Sequence, residues 1–334
     1  MSDRLIRASK AENTWRAYAQ DWAGFVRWYT GTSGTPLANK QALTATADDM
    51  VRYIREALEV GVPALVRDGS GWRVELHTHK PSSIARRITG IGRHFVDEGL
   101  PNPCATEVVK CALSGAHRLY AEKAEQLHLP IVRRVKAADR DTLIRMLCAT
   151  DRDTNRMRRL RDRALLLIGM AGAFRRSELV ALHAADIEPG PEGLVTIIRR
   201  SQHNRSAQQE VLVRYGGDVC PVRALQDWLH AAGISDGPVF RPVDRHGNVA
   251  ISALSATAVG EVVKRLAKAA GLNPKEFAGH SLRAGCVTQA AIDGVSLPQI
   301  MAHSRHKTPE CVSTCVRMGR RFDNPALSLW GNDS

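Results

Sequence analysis

His280 and Arg283 stand three residues apart, and at a helix start that spacing puts both side chains on one face. The imidazole can bind an anion or shuttle a proton, and the guanidinium offers a fork of donors that fits a phosphate. A lone His-x-x-Arg arises often by chance. Far upstream, Phe174-Arg175-Arg176-Ser177-Glu178-Leu179 supplies a second arginine with a carboxylate three residues on. Such a pair is either a surface ion pair or half of a site. Guanidinium forks suit a phosphodiester, which gains negative charge in its transition state. His306 and Cys315 follow downstream. His303-x2-His306-x4-Cys311-x3-Cys315 contains zinc-ligand residue types. Its two pairs are only a few residues apart, whereas finger-type pairs are separated by about a dozen, so no metal site is expected.

The bulk composition narrows the substrate. The chain has 334 residues, enough for two domains, and its 44% hydrophobic content is that of a soluble globular protein. The net charge of +13 favours a polyanion through phosphate neutralisation and counterion release. Nucleic acid is the first candidate and an anionic membrane surface the second. No apolar run reaches the roughly 18 residues of a membrane span, and no apolar signal segment follows Met1. A cytoplasmic protein is expected. The seven scattered cysteines do not read as a disulfide framework.

Helices dominate the first part of the chain. Ser9 and Glu12 form a capping box, and Trp15, Tyr18, Trp22, Phe25 and Tyr29 then share one face. That stripe reads as core packing in preference to a base-stacking platform. Residues 48–58 and 82–96 are amphipathic, the second with Ile84, Ile88, Ile91 and Phe95 inward and Arg86, Arg87 and Arg93 outward. Those arginines form either a solvated face or a face that contacts DNA phosphates, and the basic composition favours the second. Residues 69–80 read as a polar loop, and a fourth helix starts at Thr106. Residues 123–137 carry Pro130, Arg133, Arg134 and Lys136 and read as a linker, either crossing a nucleic-acid backbone or simply a charged, solvated connector.

In the second part, Asp139 caps a helix and the apolar run 164–171 is a buried helix. Residues 194–198 and 210–213 are β-prone and form a hairpin around a polar tip with Arg199, Arg200 and Arg205. These arginines make good phosphate contacts and poor proton donors. Pro221 starts another helix, Val239-Phe240 reads as a short strand, and residues 255–271 form a helix with Arg265 on its outer side.

Taken together, these stretches resemble the tyrosine recombinases of the phage integrase family. Thr14-x2-Ala17-Tyr18-x2-Asp21-x3-Phe25-x2-Trp28, Arg175-x-Ser177-Glu178-Leu179, Gly279-His280-x2-Arg283 and the segment Gly294–Met301, similar to the Cre branch, carry the likeness. The resemblance implies a mainly α fold: a helical core-binding domain over residues 1–122, a linker over 123–137, and a mixed α/β catalytic domain with a small antiparallel sheet over 138–334. It implies that Arg175 and Arg283 clamp the scissile phosphate, that Glu178 buttresses the site, and that His280 and His306 contact the phosphate or move protons. It implies double-stranded DNA as partner, a homo-oligomer on DNA held through the C-terminal tail 322–330, no membrane, and no metal or nucleotide cofactor. The chain departs from the pattern at three places. Cys315 stands where the family has its nucleophilic tyrosine, Gln202 where it has a lysine general acid, and Arg305 where it has a glycine. The expected function is site-specific DNA recombination or integration by phosphoryl transfer. The alternative is a catalytically degenerate DNA-binding protein on the same fold.

Overall fold

The computed structural model describes residues 12–31, 35–68, 71–127, 135–199 and 209–319. By internal packing the chain divides into two compact units, Met1–Arg133 and Arg134–Ser334.

The first unit is built on α1 (Glu12–Thr30), α2 (Pro36–Ala42), α3 (Ala47–Glu59), α4 (Pro81–Asp97) and α5 (Glu107–Gln126). The Ser9 cap lies outside the described residues. The centre of the aromatic stripe of α1 is core: Phe25 is fully buried, edge-on to Tyr53 of α3 at 5.5 Å, with Trp22 beside it, whereas Trp15 and Tyr18 are half-buried outside that cluster. Thr46 and Asp49 cap α3 reciprocally, and Pro81 opens α4 with its fixed φ. The four apolar positions of α4 are all buried, as their period requires. α5 runs to Gln126, into the stretch expected to be linker.

Residues 71–77, expected to lie in a polar loop, are a strand. β1 (Val62–Asp68) and β2 (Gly71–His77) form an antiparallel ribbon, with Leu65 opposite Val74, Pro63 opposite Leu76 and Arg67 opposite Trp72. Opposed residues share a face, so these pairs make one strip, and its Leu65, Trp72, Val74 and Leu76 are exposed. Trp72-Arg73-Val74-Glu75-Leu76-His77 alternates apolar and polar residues, the strand signal that the reading as a polar loop passed over.

The second unit packs α6 (Arg140–Asp151), α7 (Arg156–Ala171), α8 (Arg176–Val180), α9 (Pro221–Ala231), α10 (Ala256–Ala269) and α11 (His280–Ile292) around one apolar core. Asp139 caps α6, as expected. α7 starts ahead of the apolar run 164–171 because the Asn155 side chain accepts from the Arg158 N–H at 3.0 Å. The expected hairpin is present as β4 (Gly193–Ile198) and β5 (Gln209–Arg214), and β3 (Ile187–Gly190) adds a third antiparallel strand that the sequence did not announce. Val239-Phe240 is not a strand. It is a buried crossing held by Val239 N–H to Leu182 O and by Trp228 Nε1–H to Val239 O. Arg265 is not a free outer residue either: it pairs with the buried Asp162 of α7.

The segment before α6 lies against α11, with Ala138 N–H donating to Ser281 O at 2.9 Å. A Cβ on Gly285 would lie 2.0 Å from Ala138 O, so only glycine permits this approach. α12 (Leu297–Ser304) and α13 (Glu310–Gly319) complete the unit and pack on α11 through Val287, Ala291, Ile300 and Val312.

Candidate phosphate-binding site

Four short segments converge. They are the turn after α7, the start of α8, the first turn of α11 and the loop after α12. The turn Gly172-Ala173-Phe174 holds Ala173 at φ 46° and leaves its carbonyl pointing at α11. Arg175 is the N-cap of α8. Its backbone N–H donates to Glu178 Oε2 at 2.9 Å and its Nη1 to Glu178 Oε1 at 2.6 Å. Glu178 is 4% exposed. Burial alone would raise its pKa, but the Arg175 backbone N–H, the charge of Arg305 and the Arg175 guanidinium hold it below the usual carboxylate range. It is an ionised strut.

Arg283 is 1% exposed, on the first turn of α11. Its Nη1 donates to Ala173 O at 2.6 Å, while its buried Nη2 has no partner. Burial, then the charges of Arg175 and Arg305, lower its pKa to about 10. A buried cationic N–H with no acceptor is costly, and an anion is the acceptor that relieves the cost. His280 opens α11 and is held below its ordinary range by desolvation and by Arg283, Arg176 and Arg175.

His306 is half-buried. Ser304 Oγ–H donates to Ile300 O at 2.6 Å, so the same oxygen receives the His306 Nδ1–H at 2.6 Å. Desolvation, then Arg283, Arg175, His280 and Arg305, push its pKa to about 4. The ring is therefore neutral at pH 7, with Nε2 bare. An anion entering among these cations supplies the missing counter-charge, raises that pKa and turns Nε2 into a donor.

The structure thus brings Arg175, Glu178, His280, Arg283 and His306 together. Cys315, on α13, packs against the apolar cluster of Val287, Ala291, Ile300 and Val312. Cys286, one turn after Arg283, lies in the field of Arg283 and Arg305, yet burial pushes its thiol up to about 11 and keeps it protonated. Gln202, Arg200, Arg205, Arg133, Arg134 and the tail 322–330 lie outside the described residues. The outer arginines that are described each have a partner in the fold. Arg86 forks onto the buried Asp21, Arg87 donates to Tyr53, Arg93 pairs with Asp97 at 2.6 Å, and Arg199 pairs with Asp186. Among the described residues no group of three His, Cys, Asp or Glu is placed to hold a metal, and no helix is long and apolar enough to cross a membrane.

Two site residues escaped the sequence reading. Arg176 lays its side chain across Gly279, where a Cβ would lie 2.3 Å from its Cδ; the glycine before His280 was the available signal. Arg305 was noted only as a lost glycine, and nothing local reveals its partners.

The phage integrase family model matches residues 137–317. An integrase/recombinase xerD homolog of Selenomonas ruminantium is 32% identical, with 98% of this chain and 88% of that protein covered. The tyrosine recombinase XerD of Xanthomonas axonopodis pv. citri (strain 306) is 25% identical, covering 92% and 88%. Among solved structures, XerH site-specific recombinase bound to a palindromic difH substrate superposes with TM-score 0.58 at 14% identity, covering 94% of this chain and 79% of that one. The Tn1549 transposon integrase with transposon right end DNA gives TM-score 0.58 at 13% identity, covering 94% and 92%. Both show the same fold.

Proposed function

This chain belongs to the phage integrase family, and from that premise we propose that it is a site-specific DNA recombinase that clamps one backbone phosphate of duplex DNA between Arg175 and Arg283. The observation that carries this is the buried Arg283 Nη2, a cationic donor with no acceptor in the protein, set beside a second guanidinium and a neutral histidine. The relatives named above as recombinases, together with the recombinase and the transposon integrase solved on DNA, support the substrate class. Strand breakage and rejoining by phosphoryl transfer is the reaction that such a clamp serves. It neutralises the equatorial oxygens as charge develops there.

In this reading His306 and His280 contact the same phosphate. Arg86, Arg87, Arg93, Arg133, Arg134, Arg199, Arg200 and Arg205 contact flanking phosphates, with Arg86 and Arg199 exchanging their carboxylate partners for DNA. The protein assembles on DNA as a homo-oligomer, with the C-terminal tail docked on a neighbouring copy. Cys315 occupies the nucleophile position and Gln202 the general-acid position, so the covalent step is where the chain is tested. The protein's site is first enriched from a random duplex pool and then offered as a nicked suicide duplex. A covalent adduct on a denaturing gel, lost in Cys315→Ser, supports a strand transferase. Specific binding without adduct leaves a DNA-binding protein on the recombinase fold. Cys315→Tyr with Gln202→Lys then restores cleavage if the scaffold is intact. Absence of any sequence-specific binding overturns the reading altogether.

A further inference from the structure

Arg305 sits at φ 59° and ψ 40°, a left-handed conformation that favours glycine. It is kept there by its own side chain, which is 5% exposed. Nη1 donates to Gly172 O at 3.0 Å and to His303 O at 2.9 Å. Nη2 donates to Ala173 O at 3.0 Å and to Glu178 Oε2 at 3.0 Å. The guanidinium lies 5.4 Å over the Phe174 ring. Its backbone carbonyl accepts from Arg175 Nη2 at 3.2 Å.

Two acceptors are shared in this arrangement. Glu178 holds both Arg175 and Arg305, and Ala173 O holds both Arg283 and Arg305. Each clamp arginine therefore leans on an acceptor that Arg305 also fixes. Each Nη of Arg305 donates to two protein acceptors and its side chain is 5% exposed, whereas each Nη of Arg175 donates to one and 21% of that side chain is exposed, so Arg305 is held by the protein while Arg175 keeps donors for an anion. We infer that Arg305 is a positioning residue. It ties the turn 172–174 to the loop 303–306 and, through Glu178 and Ala173 O, aims Arg175 and Arg283 at one phosphate. This rests on the phosphate clamp proposed above. A glycine at this place would leave the two loops untied.

The test uses the full chain and its selected duplex, with single backbone phosphates replaced one at a time by neutral methylphosphonate. Native protein loses roughly tenfold in affinity at the clamped position, the scale of a lost charge-assisted hydrogen bond. In Arg305→Gly that position-specific penalty falls below about twofold while salt-dependent binding to the rest of the duplex persists. Arg305→Lys, which keeps the charge without the fork, gives an intermediate penalty. A residue that merely stabilised the fold would weaken all duplexes together and leave the penalty intact. A full penalty in Arg305→Gly overturns the inference, and if that variant fails to fold, a full penalty in Arg305→Lys does so. If native protein shows no penalty at any position, the clamp itself is refuted, and the role of Arg305 falls with it.

Discussion

Glu178→Gln keeps the shape of the strut and removes its charge. The amide can still accept on one atom, but its NH2 group then faces a guanidinium donor, either Arg175 or Arg305. Breaking a buried ion pair by removing one partner costs about 3–5 kcal/mol. Arg175 keeps some solvent, with 21% of its side chain exposed, so the low end applies, about 3 kcal/mol. For a unit of this size that lowers Tm by roughly 6–12 °C at pH 7. The pH dependence has a definite sign. The folded carboxyl titrates below its ordinary 4.5, so its contribution is complete above that value and is lost as pH falls through the folded pKa. Thermal melts of native protein and variant should differ by a constant amount from pH 7 down to about 5, and converge below 4.5 as protonated Glu178 comes to resemble the amide. A loss under about 2 °C at pH 7, or a gap that stays constant at low pH, refutes the ionised strut.

Other outcomes follow from the same geometry. Because His306 titrates near 4 in the free protein and a bound phosphate raises that value, DNA binding takes up protons. Affinity at fixed salt therefore rises as pH falls from 7 toward 5, and in a titration of fluorescence anisotropy His306→Gln reduces the rise, with the remainder removed by adding His280→Gln. Gly285→Ala forces a methyl onto the Ala138 carbonyl and should destabilise the second unit by at least about 2 kcal/mol, read by thermal melting. On the ribbon, Leu76→Ser is exposed and should change stability by no more than about 0.5 kcal/mol, whereas Val62→Ser, buried at its base, should cost several times that.

The sequence disclosed the parts of the fold whose pattern is local. Ile84, Ile88, Ile91 and Phe95 mark their helix because a 3.6-residue period shows in any window. Arg175, Glu178, His280 and Arg283 were legible because each pair falls within one helical turn. What was hidden is non-local. Arg305 draws its meaning from Gly172 and Ala173, more than a hundred residues away in sequence, and a one-residue comparison registers only a missing glycine. Val239-Phe240 has β-prone composition, yet its backbone is satisfied by Leu182 and the Trp228 indole, which no window of sequence can foresee. Arg265 looked solvated because its carboxylate partners lie far away in sequence, Asp162 on α7 and Asp153 in the loop before it.

The β1–β2 ribbon has a consequence for how copies of this protein behave in concentrated solution. Trp72 is 68% exposed, and with Leu65, Val74 and Leu76 it makes a strip that would stick to its own kind were the chains not mutually repelled by a net charge of +13. That repulsion reaches about 30 Å at 0.01 M salt and only about 3 Å at 1 M. The salt that strips nucleic acid from a basic protein thus removes the barrier to ribbon-on-ribbon association. Colloidal stability should pass through a maximum at intermediate ionic strength: below it polyanions bridge the molecules, and above it the apolar strips do.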